Sequence, residues 1–259
     1  MPVAAPAHGP IDASLERASR EIAEQPEDQQ RWAHRAELHR VHEDWAAAHA
    51  DLDRAEALAP DWPDLDFYRA RLLLDQGEAA GAEQILGPWT EVQPSHAAAQ
   101  ALRGRALAEL GRGRAAAQAY TRAIRIRANA GLYLARARAL GAEDLATALA
   151  SLDEGIAALG PNPALVRTAI ELELARGDFE GALQRIQSQI EAPGRRDPWL
   201  VERGEILERA GRGAEAAQAF EAALAAIHVL PEARRLVPAT RQLEARSNAG
   251  LARLGDQSL

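Results

Sequence analysis

Four histidines lie close together near the start of this 259-residue sequence, at His34, His39, His42 and His49. His39 and His42 are three residues apart, so on a helix they would share one face, with Glu43 beside them. Imidazole nitrogens arranged in this way can bind zinc or copper. The sequence lacks both a third ligand at a fixed spacing and an H-E-x-x-H signature. Solvent-exposed histidines are therefore the favoured interpretation, and metal binding through His39 and His42 is the alternative.

Other residue types that could support catalysis are not arranged for it. The pairs Gly111-x-Gly113 and Gly211-x-Gly213 follow no predicted strand and lack the longer glycine spacing of a phosphate-binding loop. No serine lies in a G-x-S-x-G motif, and the absence of cysteine excludes disulfides and thiolate chemistry. Carboxylates are spread over predicted helix surfaces, where no acid–base pair stands out. The sequence predicts a protein that is not an enzyme and uses no cofactor.

The composition favours thin, stacked helices. Hydrophobic residues make up 47% of the chain, but many are alanine, and aromatic residues make up only 4%. Alanine favours helix, whereas a β-sheet protein would need more β-branched and aromatic residues. The net charge of −8 argues against nucleic-acid binding, which needs a basic surface. No run of 18 apolar residues could span a membrane. The prediction is an all-α protein that neither binds nucleic acid nor crosses a membrane.

The segment 103–124, RGRALAELGRGRAAAQAYTRAI, has the clearest pattern in the chain. It predicts two short helices joined by a turn at Gly111 and Gly113, with Gly104 where the two helices cross closely and Tyr120 on the second helix. The pattern recurs at a spacing near 34 residues, and residues 203–223 repeat it almost residue for residue. The sequence therefore predicts an array of similar helix pairs.

Prolines set the boundaries of these pairs. Pro26, Pro60 and Pro94 are 34 residues apart, and each would end the second helix of one pair. We expect a disordered lead-in at residues 1–10, a half-repeat capping helix at 11–26 and six helix pairs over 27–230. A C-terminal capping helix at 231–255 and a tail at 256–259 would follow. The sequence Ala5-Pro6-Ala7 has the small-x-small form of an export cleavage site and favours the periplasm over the cytoplasm.

These turn, crossing and stop residues resemble those of the tetratricopeptide repeat family, including its exported bacterial members. The resemblance implies a right-handed α-α superhelix of antiparallel helix pairs with terminal capping helices. It also implies that the first helix of each pair lines a concave groove. A groove of this kind would hold an extended or helical segment of another protein.

If the resemblance holds, the ninth residue of each pair faces the groove; these residues are Glu37, Arg71, Arg105, Arg138, Glu171 and Glu205. The three central arginines could receive an acidic peptide, because guanidinium groups bind carboxylates bidentately. The favoured interpretation is a solvated face with arginines paired to neighbouring acids. Phe67, Tyr68 and Leu102 would lie near the same wall, where they would either anchor an apolar side chain of the partner or be buried between repeats.

A second arginine series immediately precedes the small crossing residue of each pair: Arg35, Arg69, Arg103, Arg136 and Arg203. Its regular position predicts a structural role, such as bridging to acidic groups on the adjoining second helix.

Three functions are compatible with the sequence. The leading hypothesis is a non-enzymatic scaffold or adaptor that binds another protein or peptide. One alternative is a periplasmic metal-responsive or metal-carrying accessory protein that uses the four histidines. The other alternative is a structural protein that self-assembles through its end helices.

Overall fold

The computed structural model describes residues 10–256, apart from the side chains of Pro10, Ile11, Ala142 and Glu143. Within this range the chain forms helices and connecting turns and contains no strand, so the all-α prediction is confirmed. The chain divides into two compact units, with the boundary between Glu143 and Asp144.

The first unit is a succession of helices: α1 (Pro10–Glu24), α2 (Gln29–Val41), α3 (Trp45–Leu58), α4 (Leu65–Asp75), α5 (Ala79–Val92), α6 (Ala97–Glu109), α7 (Gly113–Ile126) and α8 (Ala130–Leu140). Helices that follow each other in sequence also pack against each other, most extensively in the pairs α6–α7 and α2–α3. The first helix begins at Pro10, one residue earlier than expected. The rest of the expected lead-in lies outside the described residues.

The second unit follows a short 3-10 helix, Gly141–Asp144, and contains α9 (Leu145–Leu159), α10 (Pro163–Ala175), α11 (Phe179–Glu191), α12 (Asp197–Arg209), α13 (Gly213–His228), α14 (Glu232–Arg235) and α15 (Pro238–Asp256). Two helices, α14 and α15, occupy the stretch 231–255 where a C-terminal cap is expected. Pro238 starts the second of them, a position where its missing N–H leaves no helical hydrogen bond unmade. Residues 257–259 of the expected tail lie outside the described part.

Local sequence signals account for where the helices begin and end. Side-chain oxygens of Asp28, Asp44, Asn129, Asp144, Asn162 and Asp178 accept backbone N–H groups in the first turn of the next helix. The turn inside several helix pairs needs a left-handed residue, and Gly77, Gly111, Gly177 and Gly211 supply it with φ between 71° and 82°. Glu43 adopts φ 59° at the same point of the first pair.

The core of each unit is built from clusters shared by consecutive helices. In the first unit, Leu52 and Leu72 belong to a cluster of α2, α3 and α4, while Leu107 and Tyr120 belong to one that joins α6, α7 and α8. A Cβ at Gly104 would lie 2.8 Å from the Tyr120 ring, so the predicted crossing position requires glycine. Each helix thus buries its apolar face against its neighbours in sequence, as repeat arrays do.

Candidate functional site

Charged side chains connect the first helices of successive pairs in the first unit. Arg71 of α4 places its Nη1 2.8 Å from Oε2 of Glu37 on α2. Arg40 of α2 donates to the same Glu37 oxygen at 3.2 Å and to Asp75 of α4. These side chains are all partly buried or half-exposed. Two of the residues predicted to face the groove, Glu37 and Arg71, therefore form an ion pair with each other.

The same connection continues from α4 to α6. Arg105 donates from Nη1 to Asp75 Oδ1 at 2.7 Å and from Nε to Glu109 Oε1 at 2.8 Å. Asp75 thereby accepts hydrogen bonds from both Arg40 and Arg105. We call this connected set the ion-pair ladder; its members are Glu37, Arg40, Arg71, Asp75, Arg105 and Glu109.

Sequence reasoning missed three members of the ladder, namely Arg40, Asp75 and Glu109. A signal was present, because Asp75 and Glu109 are 34 residues apart and each follows a predicted groove arginine by four residues. On a helix this spacing places an arginine and an acid next to each other.

The ladder shifts the pKa of Asp75. Burial alone would raise the pKa of this carboxyl group, but hydrogen bonds from Arg105 and Arg40, with the charges of both arginines, outweigh it and lower the pKa. The pKa of Arg105 is raised, because the effect of its own burial is outweighed by bonds to Asp75 and Glu109. Both groups are therefore held in their charged forms, and the ladder links α2, α4 and α6 at neutral pH.

Replacing Asp75 with asparagine should destabilise the first unit by about 2 kcal/mol at neutral pH, because two arginines lose their shared carboxylate. Since folding lowers the pKa of Asp75, this stabilisation is present above the ordinary pKa of 3.8 and disappears as the pH falls through the folded-state value. Urea unfolding of the native chain and of Asp75→Asn, at neutral pH and at about pH 2, measures the difference in the free energy of unfolding. Asp53→Asn, at a 70% exposed side chain, is the control. An equal loss of stability at both pH values would contradict the expectation.

Arg138 of α8 differs from the ladder arginines. Its side chain is exposed and contacts no carboxylate among the described residues. Together with Tyr120, Ala135 and Leu140 it lines a concavity of about 500 Å³. Gly113 lies in the same wall, where an added Cβ would be 2.2 Å from the carbonyl oxygen of residue 139. The close approach of α7 to α8 therefore forms one side of this concavity.

Tyr120 also lines this concavity and carries a polar hydroxyl group. The tyrosine is 7% exposed, and its hydroxyl makes no hydrogen bond with any residue that the structure describes. Burial raises the pKa of Tyr120, Arg105 acts against this effect and Glu109 adds to it, so the hydroxyl stays protonated. Arg138 and Tyr120 thus present two donors without acceptors. An arrangement of this kind suits a carboxylate or another strong acceptor.

The predicted apolar residues of the same unit lie mostly between helices. The Phe67 ring centroid is 5.8 Å from that of Tyr68 and 6.2 Å from that of Trp89. Leu102 packs against the same cluster as Phe67, and both are partly buried. Tyr68 is half-buried and its ring lies 5.5 Å from that of Trp62. These side chains stabilise the packing of α4 with its neighbours.

The other two predicted groove residues belong to the second unit. Glu205 accepts two hydrogen bonds from Arg246, at 2.9 and 2.6 Å, while the Glu171 side chain is exposed. Both line a concavity of about 600 Å³ that also contains Glu202. Burial raises the pKa of Glu202, although Arg167 and Arg246 act in the opposite direction.

The structure does not bring the four histidines together with other possible metal ligands in residues 10–256. His39 lies 3.8 Å from carboxylate oxygens of Asp44 and Asp51, and His49 lies 3.0 Å from the Gln76 amide oxygen. Over residues 10–256, no three His, Cys, Asp or Glu side chains come together in a way that could hold a metal ion. The metal-carrying alternative is therefore not supported.

The second arginine series has the structural role predicted for it. Arg35 makes two hydrogen bonds to Asp51 on α3, at 2.6 and 2.8 Å, and Arg103 of α6 lies 3.3 Å from Glu83 on α5. Arg69 likewise reaches the acidic Asp53, whereas Arg136 and Arg203 bond to the neutral side chains of Thr121 and Gln187, so the expectation of an acidic partner does not extend to these two contacts. Each arginine thus joins the first helix of a pair to a second helix.

Comparisons with known proteins agree with this architecture. Residues 42–106 match the family model described as tetratricopeptide repeat. The C-terminal part of a TPR repeat-containing protein from Cytophaga hutchinsonii superposes with a TM-score of 0.65 at 16% identity, over 86% of this chain and 93% of that one. A tetratricopeptide repeat protein from Parabacteroides merdae gives 0.54 at 15% identity, over 92% of each chain. The TPR protein YrrB gives 0.53 at 17% identity, over 68% of this chain and 92% of that one. No curated protein matches the chain.

The fold is thus that of helical repeat proteins built from antiparallel helix pairs. Residues 42–106 are similar to the tetratricopeptide repeat family and the chain has the fold of tetratricopeptide repeat proteins, so the predicted resemblance is confirmed. Similarity to this family supports, in general terms, a role as a protein-interaction scaffold. In the described part of the chain, no helix combines the length and the hydropathy needed to cross a membrane.

Proposed function

We propose that the chain is a non-enzymatic scaffold or adaptor whose first unit binds an extended or helical segment of another protein. A carboxylate of that segment would lie between Arg138 and Tyr120. The observation that carries the proposal is the exposed Arg138 guanidinium, which has no carboxylate partner among the described residues and lines the same concavity as Tyr120. A partner carboxylate would complete the hydrogen bonding of both groups.

Because of the ion-pair ladder, Arg138 is the one arginine of the predicted stripe that we expect to bind a partner carboxylate. Arg71 and Arg105 already contact Glu37 and Asp75, so an incoming acid would have to displace an existing carboxylate. Exchanging one ion pair for another gains little free energy. Arg138 has no such competitor, and it therefore contributes most of the preference for an acidic group.

The comparison with YrrB is consistent with peptide binding. That protein is described as a TPR protein with an unusual peptide-binding site, and it shares the fold of this chain. We propose a bound peptide for this chain as well, because it has a concavity of its own at Tyr120 and Arg138.

Replacing Arg138 with glutamate should lower partner recovery about tenfold or more, because a charge-assisted hydrogen bond is lost and a like charge takes its place. Tyr120→Phe should lower it less, since the ring and its packing against Gly104 remain. The measurement is quantitative mass spectrometry of proteins captured from native extract by the immobilised chain.

The matched control is Arg125→Glu, which makes the same charge change at an exposed residue of α7 that does not line the concavity. Circular dichroism should show that all variants remain folded. The proposal fails if Arg138→Glu captures the same proteins in the same amounts as the native chain. It also fails if Arg125→Glu loses the partner equally.

A further inference from the structure

A second concavity of the first unit lies where the loop before α4 meets α5. Its volume is about 440 Å³, and it shares no lining residue with the ion-pair ladder or with the Arg138 concavity. Its apolar wall includes Pro60, Trp62, Pro88, Trp89 and Val92. Val92, at the end of α5, is 82% exposed. This surface is therefore an apolar groove with aromatic walls, separate from the concavity of the proposed function.

The two tryptophans of the groove have different hydrogen-bonding states. Trp89 donates its indole N–H to the carbonyl oxygen of Pro63 at 2.6 Å, which holds the loop against α5. The Trp62 indole N–H has no acceptor among residues 10–256. Its ring is held against Tyr68, with centroids 5.5 Å apart. Trp62 thus offers a fixed apolar ring with one free donor, which suits the backbone carbonyl of a bound peptide.

The charges around the groove have one sign. Glu56, Asp61 and Asp66 line it, and no Arg or His residue does. Glu56 is paired with Arg69, at 2.8 Å. Asp61 and Asp66 are exposed and contact no cationic group in the part of the chain that the structure describes. Two uncompensated carboxylates therefore border an apolar floor, and this pattern is complementary to a segment that is apolar and positively charged.

We propose that this groove binds a proline-rich segment of another protein that also carries arginine or lysine, in the polyproline II conformation. Such segments are extended before binding, dock between aromatic rings and expose backbone carbonyls that accept from side-chain donors. Their prolines would pack against Trp62 and Val92, and their cations would pair with Asp61 and Asp66. An amphipathic helix would make no use of the free Trp62 donor, because its own carbonyls are already bonded.

The test is fluorescence anisotropy of a labelled peptide of repeated Arg-Pro-Pro triplets with the full chain. Two comparison peptides keep the length: one replaces proline with glycine at the same charge, and one replaces arginine with glutamate. Val92→Arg should weaken binding of the Arg-Pro-Pro peptide about tenfold, because it places a bulky cation in the groove. The matched control is Val229→Arg, since Val229 is also 82% exposed and lies at the end of a helix in the second unit.

The double change Asp61→Asn with Asp66→Asn should weaken binding about threefold to tenfold and reduce its salt dependence. Arg138→Glu should leave it unchanged, which separates this proposal from the proposed function. No saturable binding of the Arg-Pro-Pro peptide would overturn the proposal, as would equal binding of the glycine peptide or equal affinities of the two valine variants. If light scattering shows a dimer that Val92→Arg dissociates, a second copy of the chain occupies the groove and the proposal is wrong.

Discussion

Replacing Gly250 with alanine is expected to destabilise the second unit by about 2 kcal/mol, although alanine normally stabilises a helix relative to glycine. A Cβ at this position of α15 would lie 2.4 Å from Cε2 of Phe220. The Phe220 ring is fully buried and cannot move away, because a Cβ at Gly204 of α12 would lie 2.6 Å from its other edge, at Cε1. The ring therefore fits between two helices only while both positions lack a side chain.

Gly255→Ala is the control in the same helix, since Gly255 is exposed and an added Cβ there meets nothing within 4 Å. This change should be neutral or stabilise by up to about 1 kcal/mol. Thermal and urea unfolding of the two variants gives the comparison. Phe220→Leu should cost less in the Gly250→Ala background than in the native chain, because the smaller side chain relieves the overlap. Equal stabilities of the two alanine variants would refute the expectation.

Replacing Arg185 with methionine is expected to destabilise the second unit by about 3–5 kcal/mol, because it leaves a buried carboxylate without its cation. Arg185 of α11 donates to Glu173 of α10 at 2.6 Å and to Asp153 of α9 at 2.5 Å. The Glu173 side chain is 6% exposed, and its Oε2 is buried without a hydrogen-bond partner. Arg176→Met removes an exposed ion pair to Asp178 and should change stability by less than about 1 kcal/mol.

The pH dependence of the Arg185 variant follows from Glu173. Burial raises the pKa of Glu173 above its ordinary 4.5, against the opposing effect of Arg185. A carboxyl group whose pKa rises on folding favours the folded state below its unfolded pKa, and this advantage disappears as the pH rises through the folded value. Adding Glu173→Gln to Arg185→Met should therefore restore stability at neutral pH and have little effect below about pH 4. Urea unfolding of the single and double variants across this range is the measurement. If the difference in free energy of unfolding between the single and double variants does not change with pH, the assignment to Glu173 is wrong.

The sequence was sufficient to predict the helix pairs because their signals are local. Turn glycines, capping acids and stop prolines act within a few residues, and they recur at a fixed spacing. Gly104 is predicted as a crossing position, and Gly204 holds the same place in the repeated stretch 203–223; the structure places each against an aromatic ring, Tyr120 or Phe220. Gly250 escaped prediction, because it contacts Phe220 from a stretch where the repeat pattern is no longer visible.

Charge pairing was less accessible to sequence reasoning. The predicted stripe of Arg71, Arg105 and Arg138 did not reveal which members would find carboxylates, since that depends on how far side chains reach between neighbouring helices. Asp75 contacts arginines 35 residues before it and 30 residues after it. Helix packing thus decides whether an arginine is paired with a carboxylate, and the position of the arginine in the repeat does not predict it.

The ion-pair ladder affects the rate at which an acidic partner would associate with the chain. Four cations, Arg40, Arg71, Arg105 and Arg138, are offset by three carboxylates of the ladder, and the chain as a whole carries a net charge of −8. Long-range attraction that steers an acidic segment to an open row of arginines is therefore absent. Under the proposed function, an acidic segment would approach against weak overall repulsion, so added salt should speed its encounter with the chain. We expect differences in affinity between partners to come mainly from the dissociation rate of the complex.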